Sequence, residues 1–287
     1  MDKTPGLISL YAIEALNNIA REKDIKFSSH AELAKKLKLR RIRITEVDTQ
    51  ETDLEVDKQT FLNTWSSLGM EAEATDAVMM GWGTHEEKTD EIILPTDGKD
   101  KNVAFLAQRG MDVVEECITL DPVGNIINYL GYLLPHAEAN TLSWFLNTED
   151  DSYRPTVYYV YSPSPPAIES LAKLRDNDYK PLDNWYVLEQ PDIINGEFAF
   201  DSIGVLLDFE DGTKYWSGTI LSLPQVQEYG FIRSTPTTVQ VATAINSAIK
   251  YFLKHKKLGT IDPEDLPLEI LEDAKKYLGT FISTWIE

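Results

Sequence analysis

The segment Arg41-Ile42-Arg43-Ile44-Thr45-Glu46 decides how this chain is expected to fold. Its apolar and polar residues alternate, which predicts a half-buried β-strand. Glu46 continues the face formed by Ile42 and Ile44. A carboxylate on an apolar face needs a partner or a ligand, because burying an uncompensated charge is unfavourable. Glu46 is therefore expected either to form a structural salt bridge or to line a binding site.

The patterns on both sides of this strand predict a mixed sheet with flanking helices. Helical spacing of apolar residues predicts helices at 7–22 and 236–255, and a short helix is expected at 71–80. The Pro-rich turn at 162–166 is expected to start another helix, which ends near residue 175. A capping box at 29–32 predicts a further short helix. Strands are expected at 61–65, 103–108, 129–134, 156–161, 185–189, 203–209, 214–220 and 281–285, and a loop at 88–101. The predicted fold class is α/β, or α+β, in a single domain.

Composition limits the possible functions. The chain has 287 residues and a formal net charge of −20, and its hydrophobic fraction of 43% is typical of a globular protein. Strong acidity disfavours nucleic acid and anionic membranes as partners. A single cysteine, Cys117, excludes an internal disulfide and suits a reducing compartment. With no signal pattern and no run of about 18 apolar residues, the expected location is the cytoplasm.

Residues 46–91 hold much of the negative charge, with thirteen Asp and Glu against two Lys. Aromatic residues lie among these acids, notably Trp65 and Trp82. Carboxylates attract an ammonium group by charge and an indole face attracts it through its quadrupole, so the stretch suits a cationic ligand. The alternative is an ordinary solvated acidic surface.

The glycine and histidine motifs of the sequence bear on cofactor binding, metal binding and proton transfer. No complete G-x-G-x-x-G or Walker pattern occurs in the sequence, and His85-Glu86 lacks the second His of a zincin helix, so no metal site is expected. His136 follows an apolar predicted strand, and Glu138 lies two residues further on. A His at such a position is suited to proton transfer if Glu138 orients it, although a structural role is the alternative.

Six short motifs together resemble one enzyme family. In order and approximate spacing, the chain looks like the C-terminal, catalytic part of homospermidine synthases, a branch of the saccharopine dehydrogenase-like enzymes. The motifs are Glu46-Val47-Asp48-Thr49-Gln50, Asn63-Thr64-Trp65-Ser66, Gly81 to Glu86, His136-Ala137-Glu138-Ala139, Tyr153-Arg154-Pro155-Thr156 and Gly204-Val205-Leu206-Leu207.

The resemblance also implies a division of the chain. Members of the family begin with a dinucleotide-binding Rossmann domain, and Thr4-Pro5-Gly6 resembles the end of that domain. Pro5 and Gly6 are therefore the expected cofactor contacts. Residues 1–40 are expected to be helices that follow a missing Rossmann domain, and 41–287 to be the catalytic domain. NAD would then be bound only with a Rossmann domain from the full-length protein or a separate subunit.

The family's reaction transfers an aminobutyl group between putrescine or polyamine molecules, with NAD as redox cofactor. The resemblance implies that Glu46 binds a substrate ammonium group and that Trp65 binds the cationic intermediate by cation–π contact. Glu73 and His136 correspond to the remaining acidic and proton-handling positions. The set of expected catalytic residues is thus Glu46, Trp65, Glu73 and His136, with Asn63 and Glu138 added as substrate-binding residues.

Two other functions also fit the sequence. The chain could be a non-catalytic polyamine sensor or buffer, or a relative of saccharopine or carboxyspermidine dehydrogenases that binds an amino-acid amine. The latter needs a cation for the substrate carboxylate, and Arg154 is the best-placed candidate. The resemblance also implies a homodimer.

Overall fold

A large mixed β-sheet organises the molecule in the computed structural model, which describes residues 6–87, 92–93, 102–255, 259 and 261–287. The strands are β1 (Leu39–Asp48), β2 (Thr60–Asn63), β3 (Ala77–Gly81), β4 (Ile92–Ile93), β5 (Val103–Arg109), β6 (Val114–Leu120), β7 (Ile126–Leu134), β8 (Thr156–Ser162), β9 (Asn184–Val187), β10 (Phe200–Phe209), β11 (Lys214–Ser222) and β12 (Thr280–Ile286). The helices are α1 (Leu7–Glu22), α2 (His30–Lys36), α3 (Ser67–Thr75), α4 (Ala137–Phe145), α5 (Pro165–Asp176), α6 (Leu223–Glu228), α7 (Pro236–Lys254) and α8 (Glu269–Ala274).

Strand β1 lies in the middle of this sheet. The order is β12-β11-β10-β1-β8-β3-β5-β4, while β7 pairs with both β6 and β8. Strand β1 runs antiparallel to β10 and parallel to β8. Strands β2 and β9 form a separate small parallel sheet. The predicted fold class, a mixed sheet with flanking helices, is confirmed.

Several predicted boundaries were wrong. The helix expected at 71–80 ends at Thr75, and Ala77–Gly81 instead forms β3, because that segment pairs with β5 and β8. Strand β2 ends at Asn63, so Trp65 lies beyond the strand that was expected to carry it. Strand β6 and helices α4 and α6 were not predicted. Of the predicted loop at 88–101, only 92–93 lie within the described residues, and they form β4.

The apolar face of β1 packs into the main core. Ile42 and Ile44 are fully buried, as the alternation predicted. Burying such a side chain fully contributes about 1.5–3 kcal/mol. Helix α1 covers the same region, and the Tyr11 hydroxyl lies 2.8 Å from the Thr219 hydroxyl of β11. Residues from α1 and from the sheet therefore share one core.

The opposite face of the sheet forms a second core around Trp216, which is covered in part by β6 and β7. The Trp216 indole N–H donates to the Thr45 hydroxyl at 3.0 Å, so Thr45, on the polar side of β1, is also buried and hydrogen-bonded. None of the helices in the described parts of the chain is long and apolar enough to cross a membrane.

Candidate functional site

Glu46 lies near the C-terminal end of β1 and is 1% exposed. In the sheet it is paired with Ile203 of β10 and Tyr161 of β8. Register partners on adjacent strands project to the same face of a sheet. The Glu46 carboxylate therefore faces the main core, where its Oε2 accepts a hydrogen bond from the Tyr159 hydroxyl.

Two tyrosines of β8 form the floor beside Glu46. Tyr159 and Tyr161 are two residues apart, so they share a face of the strand, and their rings stack with centroids 5.6 Å apart. Burial and the negative charge of Glu46 hold the pKa of both phenols well above the ordinary value. Both hydroxyls therefore keep their protons at neutral pH and can act as donors.

His136 approaches Tyr159 from another side. It follows β7 and is the residue immediately before α4. Its ring centroid lies 4.9 Å from that of Tyr159, and its Nδ1 lies 2.7 Å from Oε2 of Glu138. Both members of this pair are 3% exposed. Burial on its own raises the pKa of Glu138, but the charge of His136 and their hydrogen bond outweigh burial and lower it.

The start of α1 contacts this histidine–carboxylate pair. Gly6 is the N-cap residue of α1 with a φ of 78°, a conformation that glycine adopts readily. Its backbone N–H also hydrogen-bonds to Glu138. Gly6 therefore lies at the site, but its N–H is directed to a carboxylate of the chain itself. Pro5, the other predicted cofactor contact, lies outside the described residues.

Asn63 ends strand β2 of the small sheet, and Trp65 lies in the segment that follows it. Trp65 is 7% exposed, and its side chain interacts with Tyr161. Asn63 shares a face of β2 with Phe61, which packs in the same core as Trp65 and both tyrosines. The Asn63 side chain is fully buried, and neither its Nδ2 nor its Oδ1 hydrogen-bonds to any described part of the chain. A buried amide of this kind is an exception that calls for a ligand or a water.

Glu73 completes the predicted set. It lies on α3, and its charge is the smallest of the causes that raise the pKa of Tyr159. Of the six residues that the sequence selected, printed geometry connects Glu46, His136 with Glu138, and Trp65 through Tyr159 and Tyr161, and the catalytic and substrate-binding roles of all six stay predictions. Tyr159 and Tyr161 were missed, although the alternation in the predicted strand 156–161 already placed them on one face.

A second group of buried acids adjoins the site. Asp48 lies opposite Asp201 in the β1–β10 register, and both are at most 2% exposed. The Thr237 hydroxyl of α7 donates to Asp201 and lies 3.3 Å from Asp48. Asp48 also accepts hydrogen bonds from Gln50 and Thr64. Asp48 and Gln50 belong to the first family motif and Thr64 to the second, but the sequence did not single them out as site residues.

Two other candidate features have structural roles. The Arg154 guanidinium donates to the backbone carbonyl of Trp82 at 2.7 Å and to Asn147 at 3.3 Å. Glu86, which follows the Gly81-Trp82-Gly83 turn, accepts a hydrogen bond from Thr156 at 2.8 Å. Among the described residues, no three His, Cys, Asp or Glu side chains are grouped closely enough to hold a metal ion.

Comparison with known proteins gives consistent results. No protein-family model matches the chain. It is 29% identical over 293 residues to the homospermidine synthase of Mesorhizobium japonicum, covering 96% of this chain and 58% of that protein. It is 27% identical to the homospermidine synthase of Blastochloris viridis, covering 99% of this chain and 60% of that protein.

A solved structure shares the fold. The crystal structure of homospermidine synthase from Legionella pneumophila in complex with NAD superposes with a TM-score of 0.88 at 30% identity. The match covers 99% of this chain and 62% of that one. This chain therefore has homospermidine synthases as homologues along nearly its whole length, and it spans about three fifths of the length of these relatives.

Proposed function

We propose that this chain forms the substrate-binding half of a homospermidine synthase-like enzyme. Its substrate would be putrescine or another polyamine, and its reaction the transfer of an aminobutyl group. The proposal includes a cytoplasmic homodimer as the working form. The similarity to homospermidine synthases supports the reaction class, and the buried site supports the type of substrate.

One observation carries the proposal: Glu46 and Trp65 contact the buried pair Tyr159 and Tyr161, and the core that these rings share with Phe61 borders the Asn63 amide, which has no hydrogen-bond partner among the described residues. An alkyl diammonium ion has N–H donors at its ends and an apolar chain between them. A buried carboxylate and an amide oxygen accept from the donors, while indole and phenol rings contact the methylenes. Such a ligand satisfies the Glu46 carboxylate and the Asn63 Oδ1 without requiring a cation from the protein, whereas the Asn63 Nδ2 needs a separate acceptor such as water.

The residue types suit the chemistry of amine oxidation. An amine must lose a proton before its carbon gives up hydride, and His136, paired with Glu138, is a suitable acceptor. The iminium ion that results is positive, so Glu46 and Glu73 stabilise it electrostatically. Trp65 adds cation–π attraction of about 0.5–2 kcal/mol, depending on desolvation.

NAD would supply the hydride acceptor and donor of this closed redox cycle. The described residues do not fit the whole dinucleotide, because the sequence has no G-x-G-x-x-G loop and the Gly6 N–H is engaged by Glu138. We therefore assign NAD binding to a dinucleotide-binding domain outside the described residues, in the same protein or in a separate subunit. Gly6 would mark the side of the site that adjoins this domain.

The orientation of Arg154 argues against an amino-acid substrate. Its guanidinium is held by Trp82 and Asn147, and no described contact directs it towards Glu46. A relative of saccharopine or carboxyspermidine dehydrogenases would need a cation in that pocket. A second candidate is a non-catalytic polyamine-binding module, which would use the same binding site.

Calorimetric titration with putrescine tests the binding site. We expect saturable putrescine binding by the chain and weaker binding by Glu46→Gln. Trp65→Ala should bind about 2- to 30-fold more weakly, because a cation–π contact contributes about 0.5–2 kcal/mol. Glu115→Gln is the matched control, since Glu115 lies on the other face of the sheet with Tyr158. Absence of putrescine and spermidine binding, with and without NAD, would refute the proposal.

A turnover assay separates the two candidates. Putrescine and NAD are supplied to the chain alone and to the chain together with candidate dinucleotide-binding proteins. Homospermidine formation in either mixture supports the enzyme. Binding without turnover in both mixtures supports the non-catalytic module, and turnover by the chain alone contradicts the need for a separate dinucleotide-binding domain.

A further inference from the structure

We propose that Glu264 is a positioning residue that clamps α1 to α4 and so holds Glu138 against His136. Glu264 lies in the short helical turn Pro263–Asp265, far from that pair in the chain. Neither the sequence motifs nor the family resemblance selected it. The inference rests on the proposed function for its catalytic meaning, because His136 and Glu138 are the proposed proton-handling pair.

The Glu264 carboxyl group joins two helices through one oxygen. Its Oε1 accepts a hydrogen bond from the Ser9 hydroxyl of α1 at 2.7 Å and another from the Thr141 hydroxyl of α4 at 2.8 Å. Glu264 is 5% exposed and Ser9 is fully buried, so water does not readily replace either partner. Losing a hydrogen bond at such a depth is costly, because it leaves a buried polar group unsatisfied. We call these three side chains the Glu264 clamp.

The same two helices also meet at Glu138. Gly6, the N-cap residue of α1, donates its backbone N–H to this carboxylate. On α1, Gly6 and Ser9 are three residues apart, and residues at that spacing are neighbours on the helix surface. On α4, the same spacing separates Glu138 from Thr141. The contact at Glu138 and the Glu264 clamp are therefore adjacent contacts between one pair of helices.

The turn that carries Glu264 packs directly on Gly6. A Cβ atom added to Gly6 would lie 3.2 Å from Cβ of Pro263, which immediately precedes Glu264. Gly6 also has a φ of 78°, which glycine adopts more readily than other residues. The start of α1 is thus held by the clamp on one side and by Pro263 on another. Releasing the clamp would free the Gly6 N–H to move away from Glu138.

The clamp bears on proton transfer because Glu138 orients His136. The Nδ1 atom of His136 lies 2.7 Å from Oε2 of Glu138. This hydrogen bond keeps a proton on Nδ1 and makes Nε2 the basic nitrogen of the ring. A carboxylate that has lost the Gly6 donor has more rotamers open to it. A displacement of about 1 Å is enough to impair a catalytic pair, so the clamp would support the reaction without touching the substrate.

Amide hydrogen exchange of the isotope-labelled chain, followed by NMR, tests the clamp directly. The measured quantity is the protection of the Gly6 N–H, that is, how much more slowly it exchanges than in an unstructured chain. Ser9→Ala and Thr141→Val each remove one donor to Glu264. We expect each variant to lower this protection about 2- to 12-fold, the effect of one hydrogen bond. Glu264→Leu removes the acceptor of both and should lower it further.

A matched control removes a buried hydroxyl from the same helix outside the clamp. Ser143 lies on α4, is fully buried and donates to the Pro155 carbonyl at 3.0 Å. Ser143→Ala should leave the protection of the Gly6 N–H within about twofold of wild type. The exchange of the His136 Nδ1 proton with water is the second measurement, and it should be faster in the clamp variants but not in this control.

Two further variants separate positioning from a general loss of stability. Glu264→Gln keeps the Oε1 acceptor, so it should restore the protection that Glu264→Leu loses. In the Glu264→Leu background, Ser9→Ala should have no additional effect, because both changes break the same contact. If Glu264→Leu does not fold, the two single-donor variants and Glu264→Gln still decide the outcome.

Three results would overturn the inference. The first is a Gly6 N–H that exchanges freely in the wild-type chain. The second is an equal loss of protection in the amides of β1, which would show that the clamp variants only destabilise the whole fold. The third is the same local loss in Ser143→Ala. None of these results depends on putrescine, so failure of the chain to bind putrescine would refute the proposed function while leaving the clamp itself to be judged by hydrogen exchange.

Discussion

Replacing Thr237 by Val should show how strongly the buried acids beside the site depend on one hydroxyl. The Thr237 hydroxyl donates to Asp201 and accepts from the Gln50 amide at 3.0 Å. It also lies 3.3 Å from Asp48. Thr237 is 2% exposed and lies in the first turn of α7, so water cannot easily replace it. Val has nearly the same shape but no hydroxyl.

The expected loss of stability follows from the charge of the acceptor. A hydrogen bond to a charged group contributes about 1.5–3 kcal/mol to the free energy of unfolding. Val preserves the methyl contacts, so the substitution should cost about that amount. Thr237→Ser is the matched control, because it keeps the hydroxyl and loses one methyl group. It should cost only about 0.8 kcal/mol, the contribution of one buried carbon.

Urea unfolding followed by circular dichroism measures both variants under the same conditions. The assignment of a stabilising hydrogen bond to Thr237 would be supported if both variants unfold with the same dependence of free energy on urea concentration and the Val variant has the lower urea midpoint. Refutation would come from a Val variant as stable as the wild type, or from a Ser variant less stable than Val. The latter order would mean that packing of the methyl group, and not the hydrogen bond, is what Thr237 contributes.

Three further predictions concern the surroundings of the site. Gly81→Ala should destabilise the protein by about 1–3 kcal/mol in urea unfolding, because a Cβ there would come within 2.2 Å of the Ala139 carbonyl; an unchanged midpoint would contradict the close packing. The hydrogen bond from His85 lowers the pKa of Glu86 to about 2. The ionised Glu86 carboxylate therefore stabilises the fold above pH 4.5, and this stabilisation is lost as pH falls towards 2. The melting temperature of Glu86→Gln should converge with that of wild type over this pH range, and a constant difference would contradict the prediction. Burial raises the pKa of Glu264. The contribution of its protonated carboxyl to the stability of the fold is therefore greatest at low pH and is lost as pH rises through the raised pKa. Glu264→Gln keeps the Oε1 acceptor and should therefore melt higher than wild type at pH 8 but not at pH 4, and the reverse order would disprove the assignment.

Local patterns in the sequence were sufficient for the elements that pack one face against a core. The alternation at 41–46 predicted β1 and the direction of Glu46, and helical spacing predicted α1 and α7 almost to the residue. These predictions succeeded because each pattern reflects burial of one face of a regular element. The same patterns failed at 77–81, where pairing with β5 and β8 decided the conformation.

The sequence by itself determined the residue types of the site, and the tertiary structure alone decided that they meet. Glu46 lies in β1, Trp65 follows β2 and His136 follows β7, and no local period relates them. Tyr159 shows the physical reason. Alternation along β8 places Tyr159 and Tyr161 on one face, but only the parallel pairing of β8 with β1 turns that face towards Glu46. Strand pairing joins residues more than a hundred positions apart in the chain, and such contacts leave no trace in neighbouring residues.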